Sequence, residues 1–103
     1  LPDAFSRDVY HIVREALVNA ARHGLASRAA VRVHSDGGAS VSLEIDDNGH
    51  GFAFKGRYSA DQLADLGVGP KTLRERVQSL HGSLTLDSSS TGAALRIVLP
   101  VAA

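Results

Sequence analysis

The residues with most chemical promise are Asp46-Asp47-Asn48-Gly49-His50-Gly51-Phe52. They follow an apolar, strand-like run from Val41 to Ile45, so a carboxylate stands at a strand's end with two glycines close behind. A carboxylate held there can accept a hydrogen bond from an amino group on a flat ligand. Glycines directly after it let the ligand approach the backbone and let the chain turn sharply. The same composition suits an ordinary strand-exit turn, because Asp, Asn and Gly favour turns with or without a ligand.

A second group lies near the start of the chain. Asp8, His11, Glu15, Asn19 and Arg22 follow three- and four-residue steps and share one helical face. A solvated face has the same pattern. Glu15-Ala16-Leu17-Val18-Asn19 adds a specific detail, since asparagine is a poor choice inside a helix. Glu15 and Asn19, one turn apart, can present hard oxygen atoms at a common point. Such donors suit Mg²⁺, which commonly binds through one or two protein oxygens plus water and phosphate. His23 follows on an adjacent angle, either as a donor to phosphate or as a surface histidine.

The third group, Leu66-Gly67-Val68-Gly69-Pro70-Lys71, leads into another helix. With Pro70 at the first helical position, Gly69 becomes the cap. Free N–H groups at a helix start favour an anion. Lys71 places a cation where the dipole disfavours one, and a bound phosphate would offset that. Alone, the segment is a plain glycine-rich helix start. It is neither a P-loop, lacking Gly-Lys-Ser/Thr, nor a dinucleotide fingerprint, lacking the third glycine. The histidines are not at metal-ligand spacing, and the absence of cysteine excludes disulfides and thiolate metal sites.

A chain of 103 residues suggests one small domain around one core. Net charge is zero, so neither nucleic acid nor direct membrane contact is expected. No apolar run approaches the roughly 20 residues that span a bilayer, and no signal segment is visible. A cytoplasmic location is expected, whether or not a longer parent is membrane-anchored. Methionine is absent even at position 1, so residues 1–103 are expected to be a single domain of something longer.

Residues 3–24 read as a helix, with Asp3 or Ser6 as cap and Gly24 as a left-handed stop. Val9, Ile12, Val13, Ala16, Leu17 and Ala20 form its apolar face. Ala29 to His34 and Ser40 to Asp46 alternate as paired strands around a turn at Ser35-Asp36-Gly37-Gly38. Residues 53–66 read mostly as loop, with a short turn near 60–66. Pro70 to Leu80 reads as a helix stopped by Gly82, with Leu73, Val77 and Leu80 inward. Ser83 to Asp87 and Ala94 to Val101 read as strands joined by Ser88 to Gly92. The expected class is α+β, a two-layer α/β sandwich: a mixed, mainly antiparallel sheet with helices on one face.

In order, Glu15-x-x-x-Asn19, Asp47-x-Gly49-x-Gly51 and Gly67-x-Gly69 resemble the ATP-binding domain shared by gyrases, heat-shock chaperones, sensor histidine kinases and mismatch-repair ATPases, the Bergerat or GHKL fold. Glu15-Ala16-Leu17-x-Asn19-Ala20-x-Arg22-His23 looks like the N box of bacterial sensor histidine kinases, and Asp47 to Phe52 like their first glycine box. Leu73-Arg74-Glu75-Arg76-Val77, then His81-Gly82-Ser83-Leu84, resembles the short-lid kinases that serve helix-turn-helix response regulators. Gly92-x-x-Leu95-Arg96-Ile97-x-Leu99-Pro100 fits the end of such domains, so the resemblance covers nearly the whole chain.

The resemblance implies binding of Mg-ATP and supply of its γ-phosphoryl group for histidine autophosphorylation in two-component signalling. Asn19 would hold Mg²⁺, Glu15 would organise the metal and its waters, and His23 matches a basic position near the phosphates. Asp47 would accept from the adenine amino group; Gly49 and Gly51 would allow close approach to the base and lid closure. Gly67, Val68, Gly69 and Lys71 would serve the phosphate side, and Lys55 and Arg57 are lid candidates. The implied partners are ATP, a histidine-bearing dimerisation domain before Leu1, and a response regulator reached through the full-length kinase. Without the acceptor domain little catalysis is expected, because phosphoryl transfer depends on positioning. An anti-sigma-factor-type serine kinase, or a module that has lost its nucleotide, would share the fold. Three departures stand out: Pro70 replaces an aliphatic residue, Ala93 and Ala94 stand where threonines are frequent, and the lid is short.

Overall fold

A computed structural model describes residues 3–101. The helical spacing near the start is realised as α1 (Asp3–Arg22), followed by β1 (Ala29–Asp36), β2 (Ser40–Asp47), β3 (Gly56–Ser59), α2 (Ala60–Leu66), α3 (Lys71–Ser79), β4 (Ser83–Ser89) and β5 (Gly92–Pro100). The strands form one sheet in the order β1-β2-β5-β4-β3, antiparallel at every pairing. The expected α+β sandwich is therefore present. The last strand sits at the centre, and β1 and β3 are the edges.

The core follows from alternation. Val41, Leu43 and Ile45 of β2 are buried on one face, level with Leu95, Ile97 and Leu99 of β5 and Leu84 and Leu86 of β4. Ile12 and Ala16 of α1, Leu63 of α2, and Leu73 and Val77 of α3 cover them. Each fully buried Leu, Ile or Val contributes about 1.5–3 kcal/mol. No helix among the described residues is long and apolar enough to cross a membrane.

The opposite face carries charge. Arg32 pairs with Glu44 at 3.0 Å and Asp46 at 3.3 Å, Arg96 with Asp46 at 2.9 Å, and Arg57 with Asp87 at 3.4 Å. The hydrogen bond to Asp46 holds the Arg96 guanidinium above its ordinary pKa, against partial desolvation.

Several local expectations are corrected. Residues 53–66 are not mostly loop: they contain β3 and α2. Ser59 caps α2 in a reciprocal pair with Gln62, and Gly67 ends it in the left-handed region at φ 66°. Ser6 lies inside α1 and is no cap. The left-handed residues after the long helices are Leu25 (φ 54°) and His81 (φ 62°), not Gly24 and Gly82. Gly82 is required for space instead, since a Cβ there would lie 2.6 Å from Leu99 Cδ2 and 2.7 Å from the Val98 carbonyl oxygen. The last turn is only Ser90-Thr91, because Ser88 and Ser89 extend β4.

Candidate nucleotide site

Glu15 and Asn19 of α1, with His23 just beyond its end, face two other segments, the glycine loop after β2 and the start of α3. Between them lies a cavity of about 750 Å³. Gly51, Phe52, Ala53 and Phe54 form one wall; Val68, Gly69, Pro70, Lys71 and Thr72 form another. The sequence places these groups far apart, and the fold brings them together because α1 packs beside α3 on the sheet.

Asp47 lines a separate compartment of about 20 Å³, walled by the apolar side chains of Ala16, Ala20, Ile45, Ala93 and Leu95. Asn19, His23, Gly51 and Phe52 border both spaces and form the partition. The Asp47 carboxylate accepts the Gly49 N–H at 2.8 Å through Oδ1. No other hydrogen bond to that carboxylate is found among the described residues, so Oδ2 keeps its acceptor capacity. An acceptor at the back of an apolar slot suits the amino edge of a flat heterocycle.

The glycine loop is fixed by residues with no evident chemistry. Asn48 Oδ1 accepts from the Ser27 and Arg28 N–H groups at 3.0 and 2.8 Å, and its Nδ2 donates to Ser27 Oγ at 2.9 Å. The His50 N–H donates to the Gly24 carbonyl at 2.7 Å. The Phe52 N–H donates at 2.8 Å to Ser88 Oγ, a buried hydroxyl that the sequence reading assigned to a turn. Its only advance signal is a serine at an inward-facing strand position.

At the start of α3, Pro70 is the cap, not the first helical residue, and it is buried. Among the described residues no side chain caps the helix, and the Pro70 carbonyl accepts from the Arg74 N–H at 3.0 Å. The first-turn N–H groups are thus left for solvent or an anion. Glu15 has Arg76 on its other side, Oε1 to Nε 4.0 Å, an ion pair at the edge of contact range.

Seven proposed site residues, Glu15, Asn19, His23, Gly51, Val68, Gly69 and Lys71, line the larger cavity; Asp47 lines the smaller. Gly49 and Gly67 line neither. Gly49 is packed on Gly24, where a Cβ would stand 2.5 Å from the carbonyl oxygen, and Gly67 serves as the α2 stop. Lys55 donates to backbone carbonyls of the glycine loop, and Arg57 pairs with Asp87 on the outer sheet face, so neither reaches the cavity. Of the two alanines, Ala93 borders Asp47 and Ala94 faces the opposite side of the sheet.

Residues 5–103 match the family described as histidine kinase-, DNA gyrase B- and HSP90-like ATPase. The chain is 33% identical over 100 residues to sensor histidine kinase MctS of Rhizobium johnstonii, covering 92% of this chain and 20% of that protein. It is 30% identical over 102 residues to the signal transduction histidine-protein kinase/phosphatase DegS of Bacillus subtilis, covering 98% of this chain and 26% of the relative. It thus spans about a fifth to a quarter of these relatives' length. The histidine kinase domain of the Erythrobacter litoralis EL346 blue-light activated histidine kinase superposes with TM-score 0.69 at 23% identity, covering 91% of this chain and 46% of that one, and shares the fold. With the family match spanning residues 5–103 and Glu15, Asn19, Gly51 and Gly69 lining one cavity, this chain belongs to the histidine kinase-, DNA gyrase B- and HSP90-like ATPase family.

Proposed function

We propose that residues 1–103 are the ATP-binding catalytic domain of a sensor histidine kinase, which presents the γ-phosphoryl group of Mg-ATP to a histidine on a separate dimerisation domain. A response regulator would then receive the phosphate from the full-length kinase, and dependence on ATP fits a cytoplasmic location. The observation that carries this reading is the joint lining of one cavity by Glu15, Asn19 and the uncapped start of α3, with the Asp47 carboxylate behind the partition.

The donor set suits a phosphate-bound Mg²⁺. Among the described residues no three His, Cys, Asp or Glu side chains cluster as a metal cage. A hard cation here would therefore lean on phosphate oxygens and water, with Asn19 Oδ1 as the protein donor and Glu15 orienting water. Bound there, Mg²⁺ would neutralise charge on the phosphates. Asp47 would select the base, and Gly69, Lys71 and the α3 N–H groups would hold the phosphate tail. Phe52 and Phe54, stacked with centroids 5.3 Å apart, would keep water from one side.

Calorimetry with a non-hydrolysable ATP analogue and Mg²⁺ tests this reading. Asp47→Asn, which reverses the hydrogen-bond polarity of part of the group, should weaken binding at least tenfold, the equivalent of about 1.4 kcal/mol. Asn19→Ala should mainly abolish the Mg²⁺ dependence. No heat for the parent domain, alone or joined to its acceptor domain, or unchanged affinity in Asp47→Asn, would sink the assignment.

A further inference from the structure

Lys55 has no part in the site described above, yet its ammonium is specifically engaged. It donates to the carbonyl oxygens of His50 at 2.7 Å and Phe52 at 2.6 Å, and reaches that of Ser89 at 3.5 Å. The first two carbonyls flank Gly51, whose φ of 71° is open mainly to glycine. One cation holding both peptide planes fixes the loop on either side of that residue. Tyr58 adds a second tie, its hydroxyl donating to the Lys55 carbonyl at 2.8 Å.

Held this way, the loop brings Phe52 against the Asp47 compartment. The space left there, about 20 Å³, holds roughly one water molecule and no purine. Of the four partition residues, Asn19 and His23 belong to α1 or its end, whereas Gly51 and Phe52 belong to the loop that Lys55 grips. Moving the gripped loop would therefore widen the compartment by withdrawing Gly51 and Phe52 from its wall. We propose that Lys55 is a positioning residue that latches the glycine loop in a form closed to the base, so that nucleotide affinity is set by how readily this latch releases. This rests on the ATP reading of the site. Lys55 is exposed, so its ammonium can exchange carbonyls for water, and closed and open forms can interconvert. The apparent affinity is the intrinsic affinity scaled by the open fraction.

The sign of one effect separates a latch from a scaffold. If Lys55 merely preorganised the site, removing its charge would weaken nucleotide binding. A latch predicts the reverse. Lys55→Met keeps the apolar stem and deletes the donors. Without nucleotide, amide hydrogen exchange should accelerate over residues 50–54 and stay unchanged in the β1–β2 hairpin. With Mg²⁺ and a fluorescent ATP analogue, stopped-flow association should be faster and Kd tighter, each by about threefold or more as the open fraction rises. Tyr58→Phe, which removes only the second tie, should act in the same direction with smaller size, and stands in if the methionine variant does not fold. Weaker or unchanged binding in a folded variant overturns the latch, as does unaltered loop exchange. Failure of the parent to bind any nucleotide overturns the ATP reading and the gating with it, which the nucleotide-free exchange experiment distinguishes from loss of the latch alone.

Discussion

Replacing Gly49 with alanine tests whether that glycine serves a ligand or the fold. A Cβ at this position would lie 2.5 Å from the Gly24 carbonyl oxygen and 2.9 Å from its carbon, both backbone atoms that cannot rotate away. Ordinary contact begins near 3.4 Å, so the two loops must part by roughly 0.9 Å. The same Gly24 oxygen accepts the His50 N–H at 2.7 Å, and a retreat of that size takes the bond to about 3.6 Å, beyond useful range. Overpacking costs about 1–3 kcal/mol and the lost hydrogen bond about 1 kcal/mol, together about 2–4 kcal/mol. For a domain of this size each kcal/mol lowers Tm by about 4–8 °C. Thermal unfolding followed by far-ultraviolet circular dichroism should therefore show a fall of about 8 °C or more without nucleotide. An alanine variant as stable as the parent, yet with weakened nucleotide binding, would refute the packing argument and return Gly49 to the ligand.

Other substitutions separate local causes. Ser88→Ala should cost about 1–2 kcal/mol by orphaning the Phe52 N–H, and should raise hydrogen exchange at that amide selectively. Gly67→Ala meets nothing within 4 Å but keeps φ at 66°, so only the left-handed backbone is penalised, by about 1 kcal/mol; urea titration should show a small loss with unchanged nucleotide affinity.

Periodicity carried much of the fold. Val41, Leu43 and Ile45 alternate over several residues, and Ile12, Ala16 and Ala20 repeat at helical spacing, so the faces they bury were readable. β3 and α2 were not, because four strand residues and seven helical residues with two buried positions span too few periods. Their legible signal was chemical, the Ser59-x-x-Gln62 box ahead of Gly67. Strand order was also hidden, since Ser40 pairs with Pro100 across most of the chain. In the site, Glu15, Asn19 and Asp47 stood out by residue type. The partners that shape it, Gly24 against Gly49 and Ser88 against Phe52, belong to distant segments and carry no sequence signal of their contact.

The charges on the uncovered face have a consequence for assembly. Strand by strand across the sheet they run Arg32, then Glu44 and Asp46, then Arg96, then Asp87, then Arg57. Signs alternate over an odd number of strands, so both outermost strands end on arginine. Joining two copies edge to edge in a register that aligned these positions would set arginine beside arginine, where the interior pairings set arginine beside carboxylate. Like charges across neighbouring strands cost about 0.2–1 kcal/mol each. The ladder that ties the sheet together thus also discourages the next molecule from extending it in the register that continues the same charge rows.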